Sequence, residues 1–132
     1  MNVESVTVCT GMRLNADLVK EFPDEWEFDP EWTWVAMKDG EQVGFLLGAP
    51  CHGVVLMIMV KAVRDDYCIL GFLLRTFLRD SLARGFKGYM VHLNHDSPKQ
   101  FKLKRIAQKA GAKVLPQRII AVAGRLCDAA RW

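Results

Sequence analysis

The chain has 132 residues, of which 51% are hydrophobic and 25% charged, a balance that excludes a disordered or fibrous protein and suffices for one buried core. Its longest apolar run, Val54 to Val60, has seven residues and stops at Lys61, far short of the ~20 that a membrane span needs. The net charge of +3 is unevenly spread, because "EFPDEWEFDPE", Glu21 to Glu31, holds six acids and no Lys or Arg and leaves the rest of the chain at +9.

Such a split suits a cationic group on one side and an anionic group on another, although a solvated surface produces similar runs. The start, "MNVESVTVCTG", carries Glu4 and no long apolar core, so it does not read as a signal peptide and a cytoplasmic protein is expected. Cys9, Cys51, Cys68 and Cys127 lie far apart and form no CxxC pair, which points to reduced thiols. Cys51 and His52, with His92 and His95 elsewhere, show no ligand spacing, so no metal is expected.

In chain order, Val3, Val6 and Val8 alternate as a first strand that Gly11 closes. Asn15 is placed to cap a short helix, "ADLVKEF", which Pro23 stops. "PDEWEFDPEW" then reads as an irregular loop or broken helix pinned by Trp26 and Phe28. "WTWVAM", a "KDGE" turn and "QVGFLLG" form a hairpin, "APCHG" a tight turn, and "VVLMIMV" a strand buried on both faces. Residues 66–84 form an amphipathic helix with Leu70, Leu73, Leu74 and Phe77 on its apolar face and Gly85 past its end.

"KGYMVHLN" follows as a strand parallel to "VVLMIMV", giving a βαβ unit. "DSPKQFKLKRIAQKAGA" is a further helix, started by Ser97 and Pro98 and ended by Gly111. "AKVL" and "QRIIAVAGRL" make a closing hairpin, and 127–132 is a short tail to a single domain spanning 1–132.

This order resembles the GNAT acetyltransferase family over roughly residues 3 to 126. The likeness is strongest in "LLRTFLRDSLARGFKGYMVHLN", which is similar to the family's helix, next strand and strand-end Asn, and in "RIAQKAGAK", which is similar to the end of its next helix. The resemblance implies an α/β (α+β) chain with a three-layer fold, a central mixed sheet of about six or seven strands flanked by helices. It also implies acetyl-CoA as cosubstrate and a primary amine as acceptor. The short apolar run points away from a membrane partner, and a pI near 8.7 without an RNA or DNA motif is weak support for nucleic acid.

In that family the turn after the fourth strand reads Q/R-x-x-G-x-G/A, and its backbone amides grip the CoA pyrophosphate where glycines permit close approach. Alignment on Leu73 and Leu74 puts this motif on Asp65 to Leu70, so Asp65 replaces the Q/R, and Cys68 and Leu70 the small residues. A shift by one restores Arg64 but sets Tyr67 and Ile69 on the glycine positions. Asp66 is moreover a good N-cap whose carboxylate competes for the same amides. Repulsion between a diphosphate and these two acids amounts to about 1 kcal/mol or more per pair near a surface.

On the resemblance, the CoA thioester would lie along Met59, Val60, Arg64, Tyr67, Cys68, Ile69, Leu70 and the strand-end Asn94. The basic residues Lys99, Lys102, Lys104, Arg105 and Lys109 would lie near a 3′-phosphate. The family's usual base and acid are missing: "VVLMIMV" has no titratable residue and Ala107 stands where a Tyr is usual. His92 is then the candidate base and Tyr67 or Tyr89 the candidate acid. Glu21, Glu25, Trp26 and Glu27 would meet an ammonium group on the acceptor side.

Three functions stay open. One is N-acetyl transfer from acetyl-CoA to a primary amine. Another is a catalytically degenerate GNAT-fold protein that binds a protein partner or serves a structure, as small bacteriophage-encoded acetyltransferase-like proteins would, virion-associated in that case. The third is an acyl-CoA or nucleotide sensor without turnover.

Overall fold

The computed structural model describes residues 6–20, 22, 28–93, 104–105, 108–109, 113–115 and 120–125. In chain order these form β1 (Val6–Cys9), α1 (Ala16–Val19), β2 (Thr33–Lys38), β3 (Glu41–Cys51), β4 (Val54–Ala62), α2 (Tyr67–Ala83), β5 (Gly88–Leu93), β6 (Lys113–Leu115) and β7 (Ile120–Arg125). The strands make one seven-stranded sheet in the order β1-β2-β3-β4-β5-β7-β6. β4 and β5 run parallel because α2 crosses over between them, and the other neighbouring pairs are antiparallel. Backbone at 104–105 and 108–109 is helical, inside the helix expected there, while the 127–132 tail lies outside the described residues.

Two hairpin turns set the register of β2, β3 and β4. Asp39 and Gly40 (φ 52° and 78°) link β2 to β3, and His52 and Gly53 (φ 47° and 84°) link β3 to β4. Positive φ at both central residues is the requirement of a type I′ connection, whose twist matches that of the strands it joins. "APCHG" is therefore mostly strand, since β3 continues through Ala49, Pro50 and Cys51 and only His52 and Gly53 turn. Pro50 is tolerated because β2 pairs with β3 no further than Leu47, so no ladder partner awaits its missing N–H.

The α2 face holds the larger core. Ile69, Leu70, Leu73, Leu74, Phe77 and Leu78 are buried against Trp34, Ala36, Leu46, Val55, Met57, Val60 and Ala62 of the sheet. Each such side chain contributes about 1.5–3 kcal/mol relative to exposure. Helix and sheet approach closely at Gly44, where an added Cβ would lie 2.7 Å from the Lys61 carbonyl oxygen and 3.1 Å from Ile69 Cγ2. At the other end of α2, Trp34 is fully buried, donates from Nε1 to Asp80 Oδ2 at 2.7 Å and meets Phe77 edge-on at 5.1 Å. The Arg84 guanidinium lies 4.7 Å from the Trp32 ring and 5.0 Å from that of Trp34, and donates to the Glu31 carbonyl at 2.6 Å.

The opposite face carries Leu18, Phe45 and Leu47, with Leu14, Phe22 and Phe28 packed on them. Here α1 ends at Val19 rather than reaching Phe22, because Phe22 turns inward onto Phe28 and Phe45, with ring centroids at 5.4 and 6.3 Å. Asn15 stands at the N-cap, but its side chain makes no capping bond. Its N–H donates instead to Gln42 Oε1 at 2.8 Å.

β4 also departs from a strand buried on both faces. Leu47 pairs with Met59 and Gly48 with Met57, so Ile58 is an extra residue in a β-bulge. Val55, Met57, Val60 and Ala62 all face α2, whereas Ile58 and Met59 are 58% and 38% exposed.

Candidate functional site

The turn that leads from β4 into α2 is tight and self-contained. Val63–Asp65 form one 3-10 turn in which Arg64 adopts φ 56° and ψ 24°, and the Asp66 N–H donates back to the Val63 carbonyl at 3.2 Å. Left-handed backbone at a non-glycine residue is uncommon and costs on the order of 1 kcal/mol. Asp66 is then the N-cap of α2: its Oδ1 accepts from Cys68 N–H at 2.9 Å and from Ile69 N–H at 3.3 Å. Leu70 N–H already donates to the Asp66 carbonyl at 3.0 Å. The amides that a phosphate would use at a helix start are thus answered by the chain's own carboxylate and backbone.

Along this turn, Tyr67 and Cys68 are exposed, whereas Ile69 and Leu70 are fully buried in the α2 core. Only the backbone of Ile69 and Leu70 can therefore face a ligand, and the same holds for Val60, which is 5% exposed. Met59 is exposed beside the bulge. The β4–β5 ladder ends at Met57 and Val91, yet β4 runs on to Ala62 and β5 to Leu93. His92 falls in that extension, paired through its backbone with Ala121 of β7. Its side chain, with Asn94, Glu21, Glu25, Trp26 and Glu27, lies outside the described residues.

On the α1 face the sheet carries an open cavity of about 790 Å³, lined by the 12–16 segment, Val19, Phe28, Pro30 and Thr33. This lies within the ~300–1,000 Å³ range of small-molecule sites. The loop on its rim is braced by Gln42, whose Nε2 donates to the Arg13 carbonyl at 2.9 Å while its Oε1 accepts from Asn15 N–H. Its other wall is held by Asp29, which caps Glu31 N–H at 3.0 Å and whose carbonyl accepts from Thr33 Oγ1 at 2.7 Å. A smaller cavity of about 210 Å³ shares Phe28 and Thr33 with it and extends to Leu47, Gly48 and the bulged Ile58. Sequence reasoning missed Arg13, Leu14 and Val19 as cavity residues; the aromatic pair Phe22 and Phe28 flanking Pro23 was the available signal. Among the described residues no group of three His, Cys, Asp or Glu is placed to hold a metal ion, and no helix is long and apolar enough to cross a membrane.

As a whole, this fold is similar to that of solved acetyltransferases. The ribosomal-protein-S18-alanine N-acetyltransferase from Escherichia coli matches with a TM-score of 0.68 over 92% of this chain and 94% of its own, at 9% identity. The IAA acetyltransferase from Bacillus cereus matches with 0.69 over 92% and 99%, at 15% identity. Naa50 of Arabidopsis thaliana, in complex with the bisubstrate analogue CoA-Ac-MVNAL, matches with 0.65 over 91% and 98%, at 14% identity. The chain therefore has the GNAT acetyltransferase fold. No protein-family model matches the sequence, and no curated protein is similar to it in sequence.

Proposed function

We propose that this protein transfers an acetyl group from acetyl-CoA to a primary amine. The observation that carries this reading is the end of the β4–β5 ladder at Met57 and Val91, with the bulged Ile58 lining a cavity on the α1 face. When bound, acetyl-CoA supplies a thioester carbonyl open to attack by an amine. Residues Ile58 and Met59, exposed where the ladder stops, would flank that thioester, and the first turn of α2 would meet the diphosphate. Asp66 must then release the Cys68 and Ile69 amides, which costs about 1 kcal/mol of capping and about as much again in charge repulsion. Its place in the β5 extension supports His92 as the base, and exposure at the start of α2 supports Tyr67 as the acid.

The Asp66 carboxylate also favours a second reading, a GNAT-fold binding or structural protein that has given up its donor. Calorimetry with acetyl-CoA, and with CoA as control, separates the two. Micromolar binding, about −8 kcal/mol, followed by acetylated product with an amine panel, is the expected result. No heat at millimolar ligand would overturn the transferase reading in favour of the second.

A further inference from the structure

Resting on the transferase reading, we infer that the acceptor is an unbranched aliphatic diamine, which enters the smaller cavity with one ammonium on Asp29 and its other nitrogen toward Ile58. Asp29 and Ile58 line this one cavity of about 210 Å³, with Phe28, Trp32 and Leu47 as apolar wall. The volume lies below the ~300 Å³ at which drug-sized ligands begin, so it suits a short, slim chain. Its apolar wall takes the methylenes of such a chain out of water.

Asp29 is fixed where it stands. Its Oδ1 accepts from Glu31 N–H at 3.0 Å, and its carbonyl accepts from Thr33 Oγ1 at 2.7 Å and from Trp32 N–H at 3.0 Å. The residue is exposed, and its Oδ2 has no hydrogen bond or ion pair among the described residues, which leaves that oxygen open to a charge-assisted bond with an ammonium. Glu31 is exposed beside it, and the Arg84 guanidinium lies over the Trp32 ring and donates to the Glu31 carbonyl, so these two neighbouring charges are of opposite sign. Arg13 belongs to the described lining of the larger cavity.

An ammonium held on a carboxylate stays protonated and has no lone pair for attack. The nitrogen on Asp29 is therefore not the one acetylated, and a chain with a nitrogen at each end satisfies both ends of the cavity. The free end gives its ammonium proton to the base and so to solvent. Its nitrogen then forms the new C–N bond at the thioester carbonyl carbon, the C–S bond breaks, and the second proton this nitrogen gives up ends on the released thiol.

The test measures binding of cadaverine to the whole chain by calorimetry without acetyl-CoA, beside the diol of the same chain, in which a hydroxyl replaces each nitrogen. Acetylation of cadaverine and of pentylamine is then followed by mass spectrometry with acetyl-CoA present. We expect cadaverine to bind about tenfold more tightly than the diol. Its kcat/KM should exceed that of pentylamine about tenfold, since in pentylamine the productive orientation leaves Asp29 without a partner. Asp29→Asn keeps an acceptor for Glu31 N–H and removes only the charge, and should abolish both ratios. No binding of cadaverine, a diol that binds as tightly, pentylamine acetylated as efficiently, or either ratio surviving Asp29→Asn would overturn the inference. Cadaverine bound in an Asp29-dependent way but never acetylated would instead overturn the transferase reading and leave the cation site standing.

Discussion

The two ends of α2 are built in opposite ways. At the C-terminal end, Trp34 is fully buried between Phe77 and the Arg84 guanidinium, Asp80 takes its indole N–H, and Arg84 reaches across to Glu31. At the N-terminal end, Ile58, Met59, Val63 and Tyr67 are exposed, Arg64 is left-handed, and Asp66 satisfies the amides of the first turn. One end is joined to the sheet by large rings and a half-buried polar bond, the other by the close contact at Gly44. The difference separates what holds the helix from what the helix presents: stability is concentrated where no ligand is expected, and apolar exposure where one is.

Substitutions at each end should break that contrast to different degrees. Trp34→Ala removes the largest buried ring of the scaffold and leaves Asp80 without its donor, and should cost about 3–5 kcal/mol in urea denaturation. A loss under about 1 kcal/mol would mean that the C-terminal end is not the anchor. Gly44→Ala should cost about 1–3 kcal/mol, since the new methyl meets backbone at Lys61 and the Ile69 side chain. Hydrogen exchange should then rise first in residues 67–70, and a uniform rise along α2 would contradict the local role given to Gly44. Asp66→Gly should change stability by only a few tenths of a kcal/mol, because glycine is an acceptable N-cap. It should nevertheless tighten CoA binding by at least about 1 kcal/mol, roughly fivefold in Kd, from the cleared charge alone. Unchanged or weaker binding would show that Asp66 does not guard the turn.

Much of this architecture was legible in the residues. The spacing of Leu70, Leu73, Leu74 and Phe77 gave α2 its buried face, Asp-Gly at 39–40 gave the hairpin, and Asp66 read as the cap it is. Each is a local signal, set by helical periodicity, by a turn's need for positive φ, or by an acceptor next to free amides. β4 was misread because an apolar run such as "VVLMIMV" carries no mark of which residue is extra. The slip appears only in the pairing of Leu47 and Gly48 with Met59 and Met57. The cavity escaped for a similar reason, since Met12 and Leu14 are distant in sequence from Phe28 and Thr33 and meet them through the pairing of β1 with β2. Asn15 has the right composition for a cap, but nothing local reveals that Gln42, 27 residues on, receives its N–H.

The bulge can also be weighed as a matter of reading frame. With Ile58 deleted, Val55, Met57, Val60 and Ala62 would still alternate in phase toward α2, and Met59 and Lys61 would still point away. The interior asks nothing of this residue: the same core would be spelled by a strand one residue shorter and straight. Ile58 is a silent letter in the text of the fold, and a chain under selection for durability alone would have had no reason to keep it.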